Sequence, residues 1–300
     1  MEIFEILQNK LGVGRVLKNE PMKNHTTFKI GGPADIFAAP QSVDELMFTL
    51  HTCRNNDMPY FIIGNGSNLL VQDGGIRGVV ISLSNLNEIQ LMEDNKIYAQ
   101  AGAMMPDVSK FALEHALCGL EFAEGIPGSI GGGVVMNAGA YGGEIKDIFH
   151  SAQVIDKNFQ LIDIDLQSMN FSYRKSAAQE QGYIICGITM QHTQGNRADI
   201  AARMADYRLR RRDKQPLQMP SAGSTFKRPP GYFAGKLIMD AGLRGFVIGG
   251  AQVSEKHCGF IVNTGNASSA DIVNLIRHVQ SMVMEKFSVM LETEVKIVGE

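Results

Sequence analysis

The sequence predicts an α+β protein with a larger N-terminal domain and a smaller C-terminal one. Three observations predict it. Helix-period and strand-period segments are interspersed without internal repeats. Two glycine-rich stretches lie among short apolar strands. A strongly basic helix end is then broken by Pro216 and Pro220, which marks a domain boundary.

Residues 2–11 place Ile3, Ile6, Leu7 and Leu11 on one helical face. Ser42-Val43-Asp44-Glu45 reads as a capping box that opens a helix through about Asn55. Tyr60–Ile63 and Val79–Leu83 read as short strands around the first glycine-rich stretch, so this part is a βαβ-like lobe. Lys96–Ala101 alternates as a strand, and Pro106 suits the first position of a helix running to about Leu117. Gln153–Asp156 and Leu161–Ile164 flank a turn at Lys157-Asn158, a hairpin, and Tyr183–Met190 is a further strand. A helix from near Arg197 ends in the basic run 207–214, YRLRRRDK. A last helix, about Ser269–Phe287, precedes a strand within Val289–Val298.

Composition excludes several classes. The chain has 300 residues, is 44% hydrophobic and 20% charged, and carries a net charge of −3. That balance gives no general attraction to nucleic acid or to an anionic membrane. No apolar run approaches the roughly 18 residues of a membrane span. The N-terminus carries Glu2 and Glu5 and no basic segment ahead of an apolar one, so it does not read as a signal peptide; a cytoplasmic protein is expected. Cys53, Cys118, Cys186 and Cys258 form no C-x-x-C, and no H-E-x-x-H occurs, so no metal site and no disulfide are expected. Buried thiols are the plain reading of the cysteines, with a cysteine nucleophile as the competing one.

The glycine stretches carry the chemistry. Residues 125–143 read GIPGSIGGGVVMNAGAYGG, with eight glycines in nineteen positions, and residues 64–75 read GNGSNLLVQDGG. Glycine allows close approach to the main chain, and consecutive amides cradle phosphate, so the pair suggests a phosphate-bearing cofactor. Neither stretch is a P-loop: the only Gly-Lys pair, Gly235-Lys236, has Pro230 where the first glycine belongs. Nor does Gly64-Asn65-Gly66-Ser67-Asn68-Leu69 supply the third glycine of a dinucleotide fingerprint. Two tight turns without a ligand are the structural alternative.

Six blocks occur in order along the chain. They are Asn24 to Ala34 (NHTTFKIGGPA), Gly64 to Leu70, Gly125 to Gly142, Tyr173-Arg174-Lys175-Ser176, Ala222 to Lys227 (AGSTFK) and Glu294-Val295-Lys296. On these blocks the sequence resembles the UDP-N-acetylenolpyruvoylglucosamine reductase family, flavoenzymes of peptidoglycan precursor synthesis. Only 49 residues lie between Arg174 and Ser224. The chain thus resembles the short form, which lacks an inserted loop whose tyrosine covers the substrate.

The resemblance implies a two-lobed FAD-binding domain, of the kind shared with the vanillyl-alcohol-oxidase group, over 1–205 (lobes about 1–83 and 84–205). It implies a smaller α+β substrate-binding domain over 206–287 and a terminal strand, 288–300, returning to the first lobe. FAD is expected to be noncovalent, because neither glycine stretch contains His or Cys. Gly64, Asn65, Gly66, Ser67, Asn68, Leu69, Gly128, Ser129, Gly131 and Gly132 are the expected cofactor contacts, with the amides of 64–69 and 128–133 facing the diphosphate. Asn137 and Tyr141 are expected near the flavin. NADPH is the implied co-substrate and a UDP-amino sugar the implied substrate; a monomer is expected.

The implied reaction is hydride addition to C3 of an enolpyruvyl ether. It leaves negative charge at C2, so it needs a cation on the adjacent carboxylate and a proton source for C2. Arg174 fits the cation, since a guanidinium pairs with a carboxylate in a planar fork. Ser224, in the turn Gly223-Ser224-Thr225, fits the proton donor. Glu294 fits a partner polarising the carboxylate; Glu292, two residues away, points to the same strand face, and only the Glu-Val-Lys match selects between them. Tyr173, Lys227, Arg228 and Lys236 are the expected substrate contacts. Two other readings stay open: a flavin oxidase using the same module on another substrate, and a non-catalytic nucleotide-binding regulator.

Overall fold

The computed structural model describes residues 2–300. The chain forms two compact units, one of residues up to Lys18, 36–65 and 78–210, the other of 19–35, 66–77 and 211–300.

In the first unit, helix Ile3–Leu11 packs its buried Leu7 and Leu11 on helix Val43–Asn55, which buries Leu46, Leu50 and Cys53. Ser42 caps that helix by accepting from the Glu45 N–H at 3.1 Å. The expected box is only half formed. The Glu45 carboxylate turns instead to Arg15, at 2.5 and 3.1 Å, and to the Gln41 N–H, because a guanidinium and a free amide outbid one cap amide. A four-stranded sheet has the order Val16–Pro21, Pro33–Ala38, Ile76–Ser82, Tyr60–Ile63, and its last two strands are parallel, with Tyr60 opposite Val79.

A second sheet of five strands runs Leu161–Asp165, Phe149–Ile155, Ile184–Gln191, Lys96–Gln100, Ile89–Met92, each antiparallel to its neighbour. Its central strand, Ile184–Gln191, is buried almost throughout and supports the short helix Ile130–Val135. The hairpin turn is longer than the two residues read from the sequence. It spans 156–160 because the Asp156 carboxylate accepts from the N–H groups of Asn158 and Gln160, both at 2.8 Å. Pro106 falls at the second position of helix Met105–Glu114, not the first.

In the second unit, helix Ser269–Phe287 buries Ile272, Leu275, Ile276, Val279 and Val283, one stripe at helical spacing. The stripe packs with the antiparallel strands Val247–Ile248, Ala251–Val253 and Ile261–Asn263 and with helix Ala234–Asp240. Phe28, Ile30, Leu70 and Phe226 complete this core. Lys296–Val298 pairs in parallel with Leu69–Val71. The sequence reading kept 1–205 together and had 288–300 return to the first lobe, about 1–83, the segment that contains Leu69–Val71. The compact units group 66–77 and 288–300, joined by this pairing, with the C-terminal part, and 19–35 with them through Phe28 and Ile30 in the same core. No helix among the described residues is long and apolar enough to cross a membrane.

Candidate active site

The first glycine stretch presents unused donors. Among the described residues, the backbone N–H groups of Gly64, Asn65, Gly66, Ser67 and Asn68 donate to no protein acceptor. Five successive amides without partners fit an anionic group such as a diphosphate. The loop is shaped by its own glycines: at Gly66, with φ +60°, a Cβ would lie 2.1 Å from the His25 carbonyl oxygen. Asn68 is fixed by its side chain, whose Nδ2 donates to the Glu294 carbonyl at 3.1 Å, and by its own carbonyl, which accepts from Lys296 N–H at 2.9 Å.

The second stretch contributes fewer donors than expected. Ser129 caps helix Ile130–Val135, but the N–H groups of Ile130, Gly131 and Gly133 donate to Ala103, Ala101 and Ser129 carbonyls, each at 2.8 Å. The helix is docked on a strand end, and that docking consumes them. The amides of Gly128 and Ser129 remain, with that of Gly132 held only by a long 3.4 Å bond to Ser129 Oγ. Gly131 is required by the fold, since a Cβ there would come within 2.8 Å of Ala101 Cβ. Gly132 is exposed, and a Cβ would meet nothing closer than Ser129 Oγ at 3.5 Å. Nothing inside the protein requires glycine there, which fits close approach of a ligand. Asn65 Nδ2 donates to the Pro127 carbonyl at 2.6 Å, joining the two stretches within the first unit.

Asn137 is not a ligand-facing side chain. It is fully buried, donating through Nδ2 to Glu144 Oε2 (2.8 Å) and the Ser172 carbonyl (3.1 Å) while Oδ1 accepts from Lys146 N–H (3.0 Å). Its role is to tie the glycine stretch to the Tyr173-Arg174 turn. Tyr141, at φ +55°, stacks on Tyr207 with ring centroids 4.5 Å apart.

Arg174 sits in a two-residue turn closed by a bridge between Ser172 and Lys175. Its φ is +58°, a left-handed backbone rare for a branched-off side chain. Gln179 Nε2 holds the turn by donating to the carbonyls of Arg174 (3.2 Å) and Val135 (2.7 Å). The guanidinium lies 5.0 Å from the exposed Tyr173 ring and donates to the Gly139 carbonyl at 3.3 Å. Nothing in the sequence singled out Gln179, whose partners lie in the turn and at Val135.

In the second unit, Ser224 is exposed and Glu294 half-buried, and their segments are bonded together. Glu294 N–H donates to the Thr225 carbonyl and Lys227 N–H to the Glu292 carbonyl, both at 2.9 Å, with a bridge between Phe226 and Thr293. Glu292 is separated from Glu294 by its partner: its carboxylate takes Lys227 Nζ at 3.0 Å in the solvent. Of the expected substrate contacts, Lys227 is thus paired, and Lys236 pairs with Asp240 at 2.7 Å. Arg228 stacks over Phe233 at 4.0 Å and donates to the Tyr232 carbonyl.

Comparison with known proteins decides the family. An FAD binding domain profile matches residues 34–165, and a profile for the C-terminal domain of UDP-N-acetylenolpyruvoylglucosamine reductase matches 215–298. The UDP-N-acetylenolpyruvoylglucosamine reductase of Caldanaerobacter subterraneus is 53% identical over 298 residues, 99% of this chain and 98% of the relative. This chain belongs to that reductase family. A Clostridium botulinum reductase is also 53% identical, over 97% of this chain and 94% of its own. The crystal structure of the Thermus caldophilus reductase covers 95% of this chain and 98% of its own at a TM-score of 0.81 and 33% identity. Membership makes the chain an FAD-dependent oxidoreductase of α+β fold.

Three of the four thiols are buried, and Cys118 is half-buried. Burial pushes the Cys53 thiol up to about 11 and that of Cys186 to about 12, and Cys258 is buried. Between Arg174 and Ser224 the chain forms helix Ala177–Gln181, strand Ile184–Gln191 and helix Arg197–Lys214, with no inserted loop.

Proposed function

We propose that the chain reduces UDP-N-acetylglucosamine enolpyruvate to UDP-N-acetylmuramate, as a cytoplasmic monomer, with Ser224, Glu294 and Arg174 as its reacting machinery. The observation that carries this reading is the bonded pair of Ser224 and Glu294 segments, tied through Asn68 to a loop of unpartnered amides. Those amides would hold the diphosphate of FAD, which when bound and reduced by NADPH would supply the hydride for C3 of the substrate.

The chain's residues manage the charge and the proton. As hydride reaches C3, the carbon–carbon π pair moves to C2 and into the adjacent carboxylate. Arg174 stabilises that carboxylate, the more so because its turn is locked before the substrate arrives. Ser224 gives its hydroxyl proton to C2 and recovers one from solvent. Serine is a weak acid, but a nascent carbanion is a far stronger base than an alkoxide, so the transfer runs downhill. Glu294, half-buried just ahead of strand Lys296–Val298 and fixed at both backbone groups, serves the carboxylate as a protonated or water-bridged partner, since a bare anion there would repel it.

A mixing experiment tests the reading. The purified yellow protein should be bleached by NADPH under nitrogen, and the enolpyruvyl sugar should restore its colour with stoichiometric product. Rapid reoxidation by air with no response to the sugar would assign it to the oxidases instead. A protein that stays colourless with added FAD would leave the reading without its cofactor.

A further inference from the structure

We propose that Thr225 is a positioning residue for both Ser224, the proton donor, and Glu294, the partner of the substrate carboxylate, a role that rests on the assignment of those two residues above. Thr225 is 1% exposed, although it follows an exposed serine. Three bonds converge on it. Its N–H donates to the Gly259 carbonyl at 2.8 Å, its Oγ1 accepts from the Ile261 N–H at 3.1 Å, and its carbonyl accepts from the Glu294 N–H at 2.9 Å. On one side Thr225 is anchored to the start of strand Ile261–Asn263, and on the other it fixes the peptide of Glu294.

Ser224 has little else to hold it. Gly223, just before it, has φ +72° and open space where a Cβ would be. The serine is therefore cantilevered from Thr225. The threonine hydroxyl is the one side-chain bond in that anchor, because the other two use the backbone and survive substitution. Removing it leaves the buried Ile261 amide unpaired and frees the segment to shift. A small misplacement of reacting groups costs rate steeply.

Thr225→Val keeps the shape and deletes the acceptor, whereas Thr225→Ser keeps the hydroxyl and deletes a methyl. In anaerobic half-reactions, Thr225→Val should slow substrate-driven flavin reoxidation by about 10-fold or more. FAD content and NADPH-driven reduction should be unchanged. Thr225→Ser should reoxidise nearly as the parent does. In the protein stripped of FAD, hydrogen exchange at the Ile261 and Glu294 amides should quicken in Thr225→Val and not in Thr225→Ser.

Parental reoxidation in Thr225→Val, or a serine variant as slow as the valine one, overturns the proposal. Should Thr225→Val not fold, the serine variant decides alone: parental rates and exchange support the hydroxyl, and slow reoxidation refutes it. Ser224→Ala separates the two levels. If it turns over normally, the reading of Ser224 falls; if it is slow while Thr225→Val is not, only the role of Thr225 falls.

Discussion

Arg174 carries its guanidinium on a backbone at φ +58°, a conformation that costs an ordinary residue roughly 1–2 kcal/mol. The strain is held by Gln179 and fits a residue whose position matters more than its comfort. Two substitutions separate function from strain. Arg174→Ala and Arg174→Gly both remove the cation and should both reoxidise slowly. The glycine variant should be the more stable of the two by about 1 kcal/mol in urea unfolding, since glycine adopts positive φ freely. Equal stability would mean that the turn is not strained. Ser224→Ala should still be bleached by NADPH but reoxidise at least ~10²-fold more slowly, the lower end for losing a positioned proton donor. Normal turnover in that variant would remove the hydroxyl from the chemistry. At this scale the sequence offers the residue types that the proposed chemistry needs, Arg174 and Ser224, and these variants test their roles. The sequence is silent on the supporting bonds of Gln179 and Thr225, which depend on partners far along the chain.

The two glycine stretches look alike as sequence and differ as elements. Gly66 and Gly131 are glycine because backbone or methyl groups crowd them; Gly132 is not crowded. Gly132→Ala therefore has opposite expected effects on the two states. Without FAD the protein should gain about 0.5–1 kcal/mol, the usual advantage of alanine within a helix. FAD titration should show weaker binding. An alanine variant that binds FAD as the parent does would place the ligand elsewhere on the helix. Glycine content could not distinguish these positions, because it records a missing side chain and not what occupies the space. Helix Ser269–Phe287, by contrast, was read from the sequence with the bounds it has, and the structure shows the apolar stripe and the Ser268/Asp271 cap that set them. The Asp271 carboxylate accepts from the N–H groups of Ser268 (3.0 Å) and Gly250 (3.2 Å), and these bonds hold its pKa below the usual aspartate range. A depressed folded-state value contributes stability that is whole above the unfolded value and lost as pH falls through the folded one. Asp271→Asn should therefore narrow its stability gap to the parent as acid titrations pass below the ordinary aspartate range. A gap constant with pH would show that the charge is not what the cap uses.

The whole molecule is organised by pairings that local pattern does not encode. Leu69–Val71 and Lys296–Val298 are three-residue strands, too short to show periodicity, and they lie at opposite ends of the chain. Their pairing helps make the compact units discontinuous in sequence; the return of the terminal strand was expected from the family resemblance and not from any local pattern. The pairing also fixes the first glycine loop. Lys296 N–H donates to the Asn68 carbonyl, Gln72 N–H to that of Val298, Gly74 N–H to that of Glu300, and Glu300 N–H to that of Gly75. Gln72 Nε2 adds a bond to the Gly299 carbonyl at 2.6 Å. Every one of these joins 68–75 to the last five residues. A chain ending at Val295 keeps Glu294 and the whole proton-transfer segment but loses all of them. It should melt at lower temperature and release FAD on gel filtration, because the amides of 64–68 no longer have a fixed frame. Supplying excess FAD should recover part of the melting temperature, as binding to the folded state alone adds stability with ligand concentration. A truncated chain that keeps its flavin and its melting temperature would show that the terminal strand only covers the loop and does not hold it in shape.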